Sequence, residues 1–130
     1  MAEFVLPREQ VLPLLQALPG WGDMTTIVFS TGCVFEFKGP FPAGDLGDDY
    51  YNLDGPVPGL HGHLRLAAMQ RVRLQDRPHR GRDSYAFVFE NSDGQTVFKV
   101  FLGRDPHGQI IAAQLAAFNQ IRDALGVISA

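Results

Sequence analysis

Two apolar segments joined by a polar turn and followed by a helical pattern fill the stretch from Ser84 to Leu125. In the first segment Tyr85, Phe87 and Phe89 are two residues apart, so in a strand they share one face. The turn Asn91-Ser92-Asp93-Gly94 supplies side chains that bond their own backbone and a glycine that accepts a positive φ. The stretch therefore predicts an antiparallel hairpin, against which the rest of the chain must pack.

The second segment and the helix after it predict what lies next to this hairpin. Thr96 to Leu102 carries apolar side chains on both faces and is broken by Lys99 alone, which favours an interior strand. Asp105-Pro106 predicts a helix start, since Asp accepts backbone N–H bonds and proline suits the first helical position. Gly126 predicts its end. Apolar residues at helical spacing form the stripe expected to pack on the sheet: Ile111, Leu115, Phe118, Ile121 and Leu125.

A short helix and a second hairpin are predicted upstream. Arg8 to Leu18 has helical apolar spacing, with the helix starting or kinking near Pro13. Thr25 to Ser30 and Cys33 to Lys38 flank the turn Thr31-Gly32, so they predict a hairpin whose second strand is half-buried.

The composition changes from Gly39 to Gly59, where Pro, Gly and Asp dominate. This segment is predicted to be a solvated loop with one short strand at Tyr50 to Leu53. Its four aspartates lack the spacing of an EF-hand calcium loop, which disfavours a divalent-cation site.

Size and composition bound the class of protein. With 130 residues, of which 45% are hydrophobic, we expect a single domain over residues 1–130. The net charge of −3 argues against a generic nucleic-acid binder. One cysteine, Cys33, excludes an internal disulfide and is expected to be a small core residue. No apolar segment approaches the roughly 20 residues needed to span a bilayer, so we expect a cytoplasmic protein without membrane contact.

Basic residues concentrate between positions 65 and 82. Six of the eleven Lys and Arg residues fall there: Arg65, Arg71, Arg73, Arg77, Arg80 and Arg82. Strand alternation places Arg71 and Arg73 outward, opposite Val72 and Leu74. One interpretation is a solubilising edge that discourages pairing with other chains. Another is a site for a carboxylate ligand, since guanidinium groups bind carboxylates in bidentate fashion.

Two histidines lie beside this basic segment. His61 and His63 point to the same side of a predicted strand, about 7 Å apart, which is compatible with one metal ion but leaves no obvious third ligand. Two exposed strand histidines are the plainer interpretation. A third is that one imidazole is the axial ligand of a haem iron, which needs a single side chain, while the arginines bind the haem propionates. His79 and His107 lie in turn-like settings and are expected on the surface.

A family resemblance rests on several motifs in this order. They are Trp21-Gly22, Thr25-Thr26-Ile27-Val28, Tyr51-Asn52-Leu53, Gly62-His63-Leu64, Gly81, the run Val97-Phe98-Lys99-Val100-Phe101-Leu102-Gly103-Arg104-Asp105, and then Gln114-Leu115 with Phe118. Together they resemble the HutX/ChuX family of cytoplasmic haem-utilisation carriers over roughly residues 21–125.

The resemblance implies an α+β fold, with a large antiparallel β-sheet, a short N-terminal helix and a long C-terminal helix packed on it. It also implies a homodimer that binds haem and delivers it in iron acquisition, without covalent chemistry. The family histidine carries over onto His63 as candidate axial ligand, with Tyr85 as a second iron-ligand candidate and His61 beside it. Residues expected to steer propionates are Arg65, Arg71, Arg73 and Arg77.

Two alternative functions stay open, and departures from the family pattern support the second of them. Phe29 replaces a second family histidine, His79-Arg80 replaces Phe-Met, and Gly108 replaces an arginine. One alternative is a haem-degrading enzyme, as discussed for the duplicated relatives. The other is a dimeric partner-binding module that has lost haem binding.

Overall fold

Two antiparallel sheets and two α-helices make up the part of the chain that the computed structural model describes, residues 4–55 and 60–129, with side chains to residue 125. The strands are β1 (Phe4–Pro7), β2 (Asp23–Ser30), β3 (Cys33–Pro40), β4 (Ala43–Gly47), β5 (Tyr50–Gly55), β6 (Gly62–Arg65), β7 (Arg71–Asp76), β8 (Tyr85–Glu90) and β9 (Thr96–Leu102). The helices are α1 (Val11–Ala17) and α2 (Ala112–Ser129). The large sheet has the order β1-β7-β8-β9-β2-β3, and the small sheet β4-β5-β6. The predicted α+β architecture is confirmed.

The aromatic hairpin lies in the middle of the large sheet. Phe87 and Phe89 of β8 are fully buried, and the Phe89 ring stacks on Phe98 of β9 with centroids 4.3 Å apart. β9 pairs with β8 on one side and β2 on the other, which confirms that it is an interior strand. In the turn, Asn91 Oδ1 accepts hydrogen bonds from two backbone N–H groups, as its short polar side chain allows.

Helix α2 packs across the core face of this hairpin. Phe118 is fully buried, with its ring centroid 5.1 Å from that of Phe87. The buried Gln114 side chain accepts a hydrogen bond from Gly103 N–H at 2.7 Å and donates to the carbonyl oxygens of Trp21 and Asp23 at 2.9 and 2.8 Å. One amide group thus satisfies three backbone groups and fixes α2 to the ends of β9 and β2.

The small sheet covers the other end of the same core. Tyr51 and Leu53 of β5 are buried, and Phe41, just before β4, stacks on Phe98 with centroids 6.2 Å apart. Because side chains alternate along β5, Asn52 points to the opposite, outer face. There it faces His63, its register partner on β6. That residues 1–130 form a single domain stays a prediction.

The N-terminal helix is interrupted by tighter turns. Residues Arg8–Gln10 and Leu18–Trp21 are 3₁₀ helices on either side of α1. Pro13 lies in the first turn of α1, where its missing N–H costs nothing, so the predicted start near Pro13 is confirmed. None of the helices in the described residues combines the length and apolar character needed to cross a bilayer.

The predicted bounds of the C-terminal helix are wrong at both ends. Asp105 does accept backbone N–H bonds, from His107 at 2.8 Å and Gln109 at 3.0 Å, but they close a local turn and α2 begins only at Ala112. At the other end α2 continues through Gly126 to Ser129. A glycine costs a helix only about 1 kcal/mol relative to alanine, so it permits a stop without imposing one.

Strand β3 is more exposed than predicted. It pairs with β2 through a two-residue turn, as expected, but it forms the edge of the large sheet. Phe35 and Cys33 are exposed, so the predictions of a half-buried strand and a core cysteine are wrong. The alternation was identified correctly, but at this edge the sheet extends beyond the layer that covers its centre.

Two strands were not predicted. Residues 43–47, assigned to a solvated loop, form β4 beside the predicted strand at Tyr50, although their composition favours turns. Residues 4–7 form β1, which pairs with β7. Residues 56–59 of the predicted loop lie outside the described part.

Candidate functional site

His63 lies on the outer face of the small sheet in a fixed orientation. Its Nδ1 is 2.7 Å from Oδ1 of Asn52, the residue directly opposite on β5. An amide oxygen can only accept a hydrogen bond, so this contact favours the imidazole tautomer in which Nδ1–H donates and the lone pair lies on Nε2. The side chain is exposed, so a ligand can reach that lone pair. This is the second-sphere arrangement typical of metal-binding histidines.

Tyr50 and Arg65 complete this face. They are register partners, with Arg65 Nη2 3.4 Å from the Tyr50 hydroxyl and the guanidinium 5.9 Å from the ring centroid. The Tyr50 ring lies edge-on to the His63 imidazole, with centroids 6.4 Å apart. We call the group Tyr50, Asn52, His63 and Arg65 the His63 surface. It combines an imidazole, an aromatic ring and a cation that forms no ion pair with the described residues.

Arg71 and Arg73 lie elsewhere and are already paired. Arg71 Nε is 2.9 Å and Arg73 Nε 3.2 Å from the two carboxylate oxygens of Glu90, which is buried. These side chains project from the large sheet on the face opposite its core, whereas the His63 surface lies beyond the core on the other side. The structure therefore does not bring Arg71 and Arg73 to His63.

Arg77 and His61 lie in different parts of the fold, Arg77 after β7 of the large sheet and His61 before β6 of the small sheet. Arg77 is exposed. The pKa of Lys99 is lowered below the ordinary lysine value, mainly because Lys99 is partly buried and next because of the positive charge of Arg77. Arg77 therefore lies on the Lys99 side of the large sheet. His61 is exposed just before β6. In the described residues no three His, Cys, Asp or Glu side chains cluster to hold a metal ion, so His61 and His63 gain no third ligand there.

Tyr85 is half-buried at the start of β8, with its ring 5.5 Å from Phe118. Burial raises the pKa of the phenol above its ordinary value of 10.0, and the carboxylates of Asp76 and Asp83 raise it further. Near neutral pH the phenol of Tyr85 is a hydrogen-bond donor, and its assignment as an iron ligand stays a prediction.

Tyr85 also lines a groove of about 810 Å³ at the end of the large sheet where β2 and β8 begin and β3 and β9 end. No pattern in the sequence indicated this site. Its basic lining residues come from distant parts of the chain: Lys38, Arg80, Arg82 and Arg104. β2 pairs with β3 on one side and β9 on the other, and this brings Lys38 and Arg104 to the same end of the large sheet. Their spacing in the sequence does not predict that they lie close together. His79, predicted to be a surface residue, is exposed and lies on the groove lining. We call this cavity the strand-end groove; His63 does not line it.

The family model for haem utilisation ChuX/HutX matches residues 4–121. The chain belongs to the ChuX/HutX family. The predicted resemblance is thereby confirmed. The intracellular heme transport protein HutX of Vibrio cholerae is 42% identical over 109 residues, which are 84% of this chain. The chain spans 56% of the length of that relative.

Solved structures of the family share the fold. The structure of the heme-binding protein ChuX is 30% identical, with a TM-score of 0.86, over 96% of this chain and 78% of the ChuX chain. The heme-degrading enzyme ChuS of Escherichia coli O157:H7 has a TM-score of 0.71 over 88% of this chain and 35% of its own, at 16% identity. At that identity, the similarity to ChuS concerns the fold alone.

Proposed function

We propose that this protein binds haem and carries it within the cytoplasm, without covalent chemistry of its own. Membership of the ChuX/HutX family carries the proposal, supported by HutX and ChuX, whose names describe heme transport and heme binding. The His63 surface supplies two groups that such a ligand uses, an imidazole for the iron and a cation for a carboxylate.

Within that surface, His63 Nε2 is the atom that would hold the haem iron. The hydrogen bond from Nδ1 to Asn52 holds the ring in the tautomer that leaves Nε2 free. Arg65, one side chain away on the same strand face, is placed to bind a propionate carboxylate. Arg71 and Arg73 are assigned to the Glu90 ion pairs instead. When bound, the group supplies an iron centre whose electronic spectrum reports its ligand.

A hemin titration of the apoprotein tests the proposal. We expect a Soret band that saturates at a fixed stoichiometry and that shifts or weakens in His63→Ala. His107→Ala is the matched control, since His107 is exposed in a turn outside the His63 surface and should leave the band unchanged. Absence of saturable binding by the wild-type protein would refute the proposal.

Haem carriage and haem degradation predict opposite outcomes for the Soret band. After an electron donor such as ascorbate is added to the hemin complex in air, we expect the Soret band to persist. Bleaching of the band with formation of an open-chain tetrapyrrole product would show that the protein is an enzyme.

We further propose that the protein is a homodimer. Support comes from large apolar side chains exposed at the β2–β3 hairpin, where Phe29, Val34 and Phe35 are 39%, 55% and 56% exposed. Phe29 and Val34 are register partners on one face of the sheet, and exposed apolar patches are typical of interaction surfaces. Sedimentation at micromolar concentration should give twice the chain mass, and a monomer mass would contradict the dimer. A stable dimer with no response to hemin would favour the module that has lost its ligand.

A further inference from the structure

Lys99 is one of two lysines in the chain and lies on an interior strand of the large sheet. Its strand is otherwise apolar over residues 97–102. Lys99 pairs with Ile27 of β2 and Val88 of β8, and its side chain projects from the face opposite the core. Lys99 is half-buried, whereas the other lysine, Lys38 on the edge strand, is exposed. The haem-binding role proposed above assigns no task to Lys99.

The side-chain nitrogen of Lys99 lies beside two aromatic rings. Nζ is 5.8 Å from the ring centroid of Phe29 and 5.9 Å from that of Phe101. Both distances are close to the limit of about 6 Å for a cation–π contact, so the rings act mainly as apolar walls. Nζ donates a hydrogen bond to Gln75 Oε1 at 3.2 Å, its one side-chain partner among the described residues.

Positive charge surrounds Lys99 on this face. Burial lowers the pKa of Lys99 below its ordinary value of 10.5, and the charges of Arg77 and Arg73 lower it further, while Glu90 opposes them. The Glu90 carboxylate already accepts hydrogen bonds from two arginines, so little of its charge is left to balance the lysine.

The edge strand adds no net charge to this surrounding. Glu36 and Lys38 of β3 share the outer face of the sheet and carry opposite charges. The environment of Lys99 is therefore positive, which attracts anionic reagents. A lysine that is desolvated and close to other cations is activated as a nucleophile, because a larger share of its amine is unprotonated near neutral pH.

We propose that Lys99 is a modification site that accepts an acyl group from a small acyl phosphate. The neutral amine attacks the acyl carbon, so that a C–N bond forms and the C–O bond to the phosphate breaks. The phosphate leaves with the electron pair of that bond and takes up the proton that the nitrogen loses. Arg77 binds the phosphate group, and the amide N–H of the product keeps the hydrogen bond to Gln75. The reaction removes one of the positive charges on this face.

Acetyl phosphate is the probe, and peptide mass spectrometry follows the acetylation of the two lysines. We expect Lys99 to react faster than Lys38 near neutral pH, by roughly threefold or more. Exposure alone predicts the reverse order, since Lys38 is the exposed lysine. Inorganic phosphate should slow the reaction of Lys99 more than that of Lys38, because it competes for the guanidinium of Arg77.

Arg77→Gln tests the part of the neighbouring charge. Without this cation Lys99 should react more slowly, and the rise of its rate with pH should move to higher pH. Arg8→Gln is the matched control, since Arg8 is an exposed arginine in the 3₁₀ helix before α1, and it should leave the pH profile unchanged.

Three results would overturn the inference. They are acetylation of Lys38 as fast as that of Lys99, equal slowing of both lysines by phosphate, and an unchanged pH profile of Lys99 in Arg77→Gln. The first two comparisons use the wild-type protein, so they decide the matter even if the variant folds poorly. None of the measurements involves hemin, so the haem-carrier proposal is tested separately.

Discussion

His63 Nδ1 and Asn52 Oδ1 are 2.7 Å apart, across a register pair of β5 and β6. The contact determines which imidazole nitrogen is available to a ligand. Asn52→Ala removes the acceptor, so we expect weaker hemin binding than in the wild type, though stronger than in His63→Ala. Asn52→Asp keeps an acceptor and should retain binding. Equal hemin affinity in all three Asn52 proteins would show that this hydrogen bond does not orient the ligand.

Substitutions at Arg73 and Arg65 should affect different properties, the stability of the fold for Arg73 and the affinity for hemin for Arg65. Arg73→Ala breaks an ion pair to the buried Glu90, and with discounting for partial exposure we expect a loss of about 1–2 kcal/mol in the free energy of unfolding. Hemin affinity should stay as in the wild type. Arg65→Ala should show the reverse pattern, because Arg65 is exposed at the His63 surface. Denaturant unfolding and hemin titration of both variants measure the difference. A large loss of hemin affinity in Arg73→Ala would contradict the assignment.

Gly103 should tolerate no side chain. A Cβ there would lie 2.0 Å from the carbonyl oxygen of Asp23 and 3.2 Å from Ile111 Cδ1. Gly103→Ala must therefore push β9 from β2 or displace α2, at a cost of about 3 kcal/mol or more. Gly20→Ala is the control, since its Cβ would have no neighbour within 4 Å, and its effect should stay within about 0.5 kcal/mol. Similar melting temperatures for the two variants would contradict this packing.

Ionisation of Tyr85 should contribute to the loss of stability at alkaline pH. The folded protein holds the phenol proton more tightly than the unfolded chain does, so the unfolded chain releases it first as the pH rises past 10.0. This contribution to stability is present below that pH and is lost as the pH rises through the raised pKa. In Tyr85→Phe the decline in the free energy of unfolding above pH 10 should be shallower. The measurement is urea unfolding at a series of pH values, and parallel pH profiles would contradict the raised pKa.

The hairpins could be predicted from the sequence because the residues that determine each strand and its turn lie next to one another in the chain. Alternation along β8 and the turn at Asn91 are enough to place Phe87 and Phe89 on one face and to reverse the chain. The same applies to β6, where alternation correctly placed His63 and Arg65 outward. At the site level, the sequence could therefore identify an exposed imidazole beside a cation.

Features that depend on tertiary pairing were missed. β4 has a composition typical of turns and is a strand because β5 offers it a partner. The partners of Arg71 and Arg73 depend on Glu90, which lies 17 or more positions away and faces them only through the register of β7 and β8. The strand-end groove likewise gathers Lys38 and Arg104 from strands that are distant in sequence. No window of local pattern contains these neighbours.

The edge position of β3 has a consequence for the protein in concentrated solution. One side of this strand is bonded to β2, and the other ends the large sheet with backbone N–H and C=O groups. Along it, Glu36 and Lys38 are the charged side chains that oppose the approach of a further strand. Neutralising both should leave a mostly apolar border to which the edge strand of another copy could pair, so we expect these two charges to oppose self-association along this edge.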